Sequence, residues 1–143
     1  MTNSDPIKNL YLSLTLIGKD LIPNEITSKL HIQPSHFFQR GESFGGENSD
    51  GKVRKQGLWE ISSDKVDLPP DDIVTQFNWL LDLVEPVKDD LHQILEDKAI
   101  QARLCCFWIV PDGRINIEVE PMMLSRIASL GLKIWFDVYS DKS

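Results

Sequence analysis

The chain has 143 residues, of which 41% are apolar and 26% are charged. These proportions are ordinary for a globular protein and disfavour collagen, coiled-coil and disordered chains. Lys and Arg together number 15 and Asp and Glu 22, so the formal net charge is −7. This balance disfavours nucleic acid and anionic membrane surfaces as partners. The length predicts a single domain over residues 1–143.

The N-terminal half predicts a strand, a helix and a second strand. Leu10 to Ile17 alternates between two sets of side chains, which is the period of a strand. Pro23 is favourable in the first turn of a short helix because its missing N–H would have no partner there. Leu58–Ser62 reads as the second strand, and the apolar leucines of the first strand mark the buried face of a sheet.

Residues 35–57 predict a long glycine-rich loop between these strands. They hold five of the eight glycines in the chain. Loops of this length are usually functional or mobile. Phe37, Phe38 and Phe44 indicate that part of the loop docks onto an apolar surface.

The C-terminal half predicts an α+β fold with a mixed, mostly antiparallel sheet and helices packed on one face. The complete order is β-α-β-α-α-β-β-α-β, and residues 58–139 have the ferredoxin-like order. The Asp112-Gly113 pair predicts a hairpin turn. The elements are helices beginning near Pro69 and at Pro86, a strand over 101–110, a returning strand over 115–117, a helix beginning at Pro121 and a strand over 132–139.

Aromatic side chains are predicted on the sheet face away from the leucines. Aromatic residues and arginine dominate the energetics of protein interfaces, so this face is a candidate contact surface. The alternative is that the loop phenylalanines cover these rings and complete the core. The residues are Tyr11, Phe107, Trp135 and Tyr139, with Arg103, Lys133 and Asp137.

The negative charge is concentrated between Glu60 and Asp97. This segment holds eleven acidic residues and two lysines, a net charge of −9. One interpretation is a solvated outer face of the helices. The other is an acidic patch that steers a basic protein partner.

No motif for catalysis, metal binding or a cofactor is convincing. Gly46 to Lys52 fits G-x-x-x-x-G-K, but Val53 has no hydroxyl for a magnesium ion. The only cysteines, Cys105 and Cys106, are adjacent in a strand and cannot form an ordinary disulfide there. We therefore expect no cofactor, no metal site and no catalytic residues. The N-terminus lacks a basic region, and the apolar run from Leu10 to Ile17 is short and alternating. We therefore expect no leader or membrane-spanning segment and a cytoplasmic location.

Several segments together resemble the bacterial domain-of-unknown-function 4279 family over nearly the whole chain. The family pattern marks Gly41, Glu42 and Trp59 at matching positions. The resemblance implies a small bacterial cytoplasmic protein and carries over no activity; some such families serve as immunity proteins against toxins. The segments that carry it are residues 22–34 after the opening strand, 40–42, 57–62 and 127–139.

These observations favour a non-catalytic protein-binding module, with an immunity-type inhibitor of a toxin as its most specific form. The alternative is a small-ligand-binding protein or enzyme with a pocket under the 35–57 loop. A homodimer with a two-fold contact through Trp135 and Tyr139 is a third hypothesis. Arg40 and Glu42 are expected to form an ion pair at the root of the loop or to contact a ligand. The candidate binding residues are Arg40, Glu42, Trp59, Phe107, Trp135 and Tyr139.

Overall fold

The computed structural model describes residues 9–44, 51–69, 72–110 and 116–140, which form one five-stranded sheet and four α-helices. The elements in chain order are β1 (Leu10–Gly18), α1 (Pro23–Leu30), β2 (His36–Phe38), β3 (Gly57–Ser62), α2 (Ile73–Val84), a 3-10 turn (Glu85–Val87), α3 (Lys88–Leu95), β4 (Gln101–Val110), α4 (Pro121–Ser129) and β5 (Lys133–Ser140).

The strand order in the sheet is β2-β3-β1-β4-β5. β1 is antiparallel to both of its neighbours, β3 and β4, and β2 is antiparallel to β3. Only the β4–β5 pair is parallel. This arrangement confirms the predicted α+β class and its mixed, mostly antiparallel sheet. It also leaves β2 and β5 as the two edge strands.

Two predicted details differ in the structure. The segment 35–57 is not all loop, because it contributes β2 at the edge of the sheet. After β4, residues 116–120 have no regular structure, whereas the predicted turn at 111–114 and Ile115 lie outside the described residues. β4 is flanked by β1 and β5, so neither side remains for a returning strand. The chain instead reaches β5 through α4, as a parallel pair requires, and the ferredoxin-like order is not present in the described residues.

Local sequence explains where the helices begin. Pro23 and Pro121 occupy the first turns of α1 and α4, where a missing N–H costs nothing. α2 begins after Asp72, whose carboxylate Oδ1 accepts the backbone N–H of Thr75 at 3.1 Å. This cap lowers the pKa of Asp72, because the hydrogen bonds from Thr75 favour the ionised carboxylate.

The core lies between the sheet and the helices. The four alternating leucines of β1, from Leu10 to Leu16, are each at most 1% exposed. Trp59 of β3 is fully buried beside them, and its indole N–H donates to Thr27 Oγ1 of α1 at 3.0 Å. Each buried side chain of this size contributes about 1.5–3 kcal/mol. In the described part of the chain, no helix is long and apolar enough to span a membrane.

Candidate functional site

The second face of the sheet is not packed against the described helices. Successive side chains of a strand point to opposite faces, so this face carries every second residue of each strand. We call it the open face: it carries the odd-numbered residues of β1, β4 and β5 and the even-numbered residues of β2 and β3. The predicted aromatic and charged residues do share this face. Tyr11 lies opposite Phe107, and Phe107 lies opposite Asp137.

Three aromatic rings form a connected row across the open face. The rings of Tyr11 and Phe107 stack with centroids 4.7 Å apart and an interplanar angle of 25°. The ring of Phe107 is 5.4 Å from that of Tyr139 and tilted by 44°. Tyr139 is 52% exposed at the β5 end, whereas Tyr11 is half-buried and its burial raises the pKa of its phenol. The row therefore offers more ring surface toward β5.

A cation–π pair lies beside this row. The guanidinium carbon of Arg103 is 4.9 Å from the ring centroid of Trp135. Both side chains are exposed, and Trp135 retains 51% of its surface. A contact of this kind at an exposed site contributes about 0.5–1 kcal/mol and favours this relative orientation of the two groups. The β4–β5 half of the open face therefore combines aromatic rings with charges of both signs, from Arg103, Lys133 and Asp137.

The middle of the open face is a floor of small polar side chains. Ser13, Thr15 and Ser62 are at most 6% exposed. The hydroxyl of Thr15 donates to Glu60 Oε2 at 2.6 Å, which holds this carboxylate over the floor. The open face therefore has a carboxylate on the β3 side of this floor and aromatic rings on the β4–β5 side.

The structure brings three of the six predicted site residues together. Phe107, Trp135 and Tyr139 lie on the open face, on neighbouring strands. Trp59 points to the other face and is fully buried, so its part is to fill the core. Arg40 and Glu42 lie on the segment after β2.

The expected ion pair between Arg40 and Glu42 is not observed; Arg40 contacts Asp20 Oδ1 at 3.1 Å instead. Glu42 belongs to a turn in which its backbone N–H donates to Gln39 O, and Gly41 has a φ of 94°. The contact of Glu42 in this turn is therefore made by its backbone. The side chain of Arg40 contacts the segment that follows β1. Sequence spacing cannot reveal this partner because Asp20 is distant along the chain.

The phenylalanines of the 35–57 segment have a different role from the predicted one. The Arg54 guanidinium carbon lies 4.1 Å from the ring centroids of both Phe38 and Phe44. These two rings therefore enclose Arg54, and Phe37 is 60% exposed. An opening of about 790 Å³ lies beside this cluster, lined by Ile17, Phe38, Phe44 and residues 51–56. The sequence analysis missed Arg54, since no local pattern marks a contact between residues on the two sides of the Ser43–Val53 bridge.

The helix layer carries much of the acidic segment on the opposite side of the molecule. Arg126 of α4 donates to Asn78 Oδ1 at 2.8 Å, to Asp82 Oδ1 at 2.7 Å and to Glu85 Oε1. These carboxylates raise the pKa of Arg126 and tie α4 to α2. Asp71 lies outside the described residues. Several acids on and after α3 remain exposed: Asp89, Asp90, Glu96 and Asp97.

The adjacent cysteines point to opposite faces, as predicted. Cys105 lies on the open face beside Ser13, and Cys106 lies in the core beside Leu12. Burial raises the pKa of Cys106 to about 12 and also raises the pKa of Cys105. Both thiols are therefore weak nucleophiles at neutral pH. Over residues 9–44, 51–69, 72–110 and 116–140, no cluster of three His, Cys, Asp or Glu side chains is placed to hold a metal ion.

The fold and the open face define a class: a two-layer α+β protein with helices on one face of its sheet and an aromatic, charged surface on the other. The family model for a domain of unknown function, DUF4279, matches residues 8–141. The chain therefore belongs to the DUF4279 family, as the resemblance in its sequence indicated. Neither the curated proteins nor the solved structures contain a match to this chain.

Proposed function

We propose that this protein is a non-catalytic protein-binding module and that the open face is its contact surface. The observation that carries the proposal is the exposed pairing of Trp135 with Arg103 next to the row of Tyr11, Phe107 and Tyr139. Tryptophan, tyrosine and arginine are the side chains that contribute most to binding when a partner covers them. Their packing against each other reduces the conformational entropy lost on binding.

The charges favour a protein partner with a basic surface. The net charge of −7 attracts such a partner at long range, and Glu60 and Asp137 supply local carboxylates on the open face. The same charge repels nucleic acid, although aromatic sheets bind RNA in other folds. The most specific form of this proposal is an immunity-type inhibitor that covers a basic toxin domain in a bacterial cytoplasm.

The test is capture of a partner by immobilised protein from a lysate of the source organism, at low and at high salt. We expect the wild-type chain to retain a partner that Trp135→Ala loses. The matched control is Leu124→Ala on α4, which is 49% exposed but lies in the helix layer. Retention by both variants, or loss by both, would contradict a contact through the open face. Salt weakens the capture if opposite charges steer it.

The opening beside Arg54 supports a second candidate, binding of a small anionic molecule. The opening is a broad surface depression, and Lys52, Arg54 and Lys55 line it with positive charge. Arg54 Nε is buried without a hydrogen-bond partner. Arg40, Glu42 and Trp59, the residues expected for this alternative, do not line the opening.

A calorimetric titration with citrate, a small polyanion, tests this candidate. Saturable heat that disappears in Arg54→Met supports it, because methionine keeps apolar bulk between Phe38 and Phe44 but removes the charge. Heat that is unchanged in this variant, or that is absent from the wild-type chain, counts against it.

A further inference from the structure

The two edges of the sheet differ in length and in exposed apolar surface. β2 has three residues, whereas β5 has eight and pairs only with β4 among the described strands. The outer edge of β5 presents backbone N–H and C=O groups that another strand can bind. Natural proteins usually shorten or charge such an edge. β5 is neither short nor highly charged, since Lys133 and Asp137 are its only charged residues.

β5 also exposes large apolar side chains on both of its faces. Trp135 and Tyr139 are 51% and 52% exposed on the open face. Phe136 and Val138 are 40% and 42% exposed on the helix side. Strands with apolar side chains on both faces normally lie inside a sheet, where neighbouring strands flank these side chains and pair with both backbone edges. The exposed edge of β5 therefore resembles an interior strand that lacks its second partner.

We propose that this partner is β5 of a second copy, paired antiparallel about a two-fold axis perpendicular to the sheet. Two-fold symmetric dimers are the commonest homo-oligomers. In such a dimer both copies use the same surface, so the outer edge of β5 in one copy can pair with the outer edge of β5 in the other. Antiparallel pairing of the two edges joins the two five-stranded sheets into one continuous sheet. This inference does not depend on the proposed function, because the pairing is made by the backbone edge of β5; Trp135 and Tyr139 of the open face flank that edge.

The sequence of β5 favours one register. A two-fold axis perpendicular to the sheet keeps each face on the same side, so odd-numbered residues pair with odd-numbered ones. With Phe136 on the axis, residues 133–139 all find partners, and Lys133 becomes the diagonal neighbour of Asp137 in the other copy. A register centred on Asp137 would instead set two carboxylates directly opposite each other, which is unfavourable.

The contact is small enough to be reversible. From their exposed fractions, Trp135, Phe136, Val138 and Tyr139 offer at most roughly 300–400 Å² of side-chain surface in each copy. Twice this area is below the roughly 1,200 Å² that stable interfaces bury. We therefore expect a dimer that dissociates on dilution.

Analytical ultracentrifugation of the full chain between about 1 µM and about 1 mM covers the affinities of weak and moderate dimers. We expect a monomer–dimer equilibrium that the double substitution Phe136→Lys and Val138→Lys abolishes. These residues lie on the helix side, so the open face is unchanged. The control is Phe37→Lys on the opposite edge, and it should dimerise as the wild-type chain does. A monomer throughout the range would overturn the proposal, as would a dimer that persists in the double variant.

Disulfide trapping tests the register without relying on lysine substitutions. Only a residue on the two-fold axis meets its own copy, so Phe136→Cys should form a disulfide-linked dimer on mild oxidation and Val138→Cys should not. The wild-type chain controls for Cys105 and Cys106. Equal trapping of both variants, or trapping of neither, would contradict an axis at Phe136.

Discussion

The two faces of the sheet use the same residue types for different purposes. On the covered face, Trp59 is fully buried and hydrogen-bonded to α1, whereas on the open face Trp135 is 51% exposed and packs against Arg103. The covered face stabilises the fold by removing apolar surface from water. The open face keeps its rings accessible and orders them through contacts with each other. Exposed aromatic surface that the fold does not use is surface available to a partner.

Substitution of the two tryptophans gives the largest expected difference between the faces. Trp59→Ala removes a fully buried ring and leaves a cavity, so we expect a loss of about 3–5 kcal/mol in the free energy of unfolding. Trp135→Ala removes an exposed ring and should change this free energy by no more than about 0.5–1 kcal/mol, mostly from the contact with Arg103. Urea denaturation followed by circular dichroism measures both. Equal losses would show that the open face also belongs to the core.

The adjacent cysteines sharpen the same comparison within one strand. Cys106→Ser places a hydroxyl in the core and should cost about 1–3 kcal/mol, whereas Cys105→Ser should cost less because its site is only half-buried. A thiol reagent at pH 8 should label Cys105 before Cys106, whose pKa is raised to about 12 by burial. Labelling of Cys106 at the rate of unfolding would fit this account, and faster labelling would contradict it.

Much of the fold followed from local patterns. The alternation in β1 and β5 and the prolines at the start of α1 and α4 place these elements within a residue or two of their observed bounds. β2 was missed because three residues are too few to show a period. The parallel β4–β5 pair was missed because β5 can pair only with the edge of β4 that β1 leaves free. Local sequence patterns do not show which strands are neighbours in the sheet.

The candidate site was predictable only in part, for a similar reason. Alternation was sufficient to put Phe107, Trp135 and Tyr139 on one face. It could not show that Arg40 pairs with Asp20 or that Arg54 lies between Phe38 and Phe44, because these contacts join segments far apart in the chain. Short-range spacing predicts faces, and long-range pairing decides which side chains meet.

The helix layer should respond to the loss of Arg126. Arg126→Met keeps much of the side-chain volume but removes the charge that joins α4 to α2, and we expect a loss of about 1 kcal/mol, as for a small ion-pair network. The loss should shrink in 1 M salt, where exposed charges are screened. A loss that does not change with salt would show that packing, and not charge, is the origin of the effect.

The smallest expected effect is the pH dependence from the cap of α2. The pKa of Asp72 is lowered in the folded state, so its contribution is fully present above the unfolded pKa and is lost as the pH falls through the folded value. Asp72→Asn retains an acceptor for Thr75 but does not titrate. We expect its unfolding midpoint to vary less than that of the wild-type chain below about pH 4. If the unfolding midpoints of Asp72→Asn and of the wild-type chain change equally with pH, Asp72 does not contribute to acid sensitivity.

The most direct test of the open face as the contact surface is photo-crosslinking at matched positions on the two layers. p-Benzoylphenylalanine in place of Tyr139, which is 52% exposed, would be compared with the same group in place of Leu124, which is 49% exposed. In a lysate of the source organism, we predict that the group at position 139 captures a protein of different mass from the chain and that the group at position 124 does not. Capture of that protein only at position 124, or equally at both positions, would contradict the assignment of the open face.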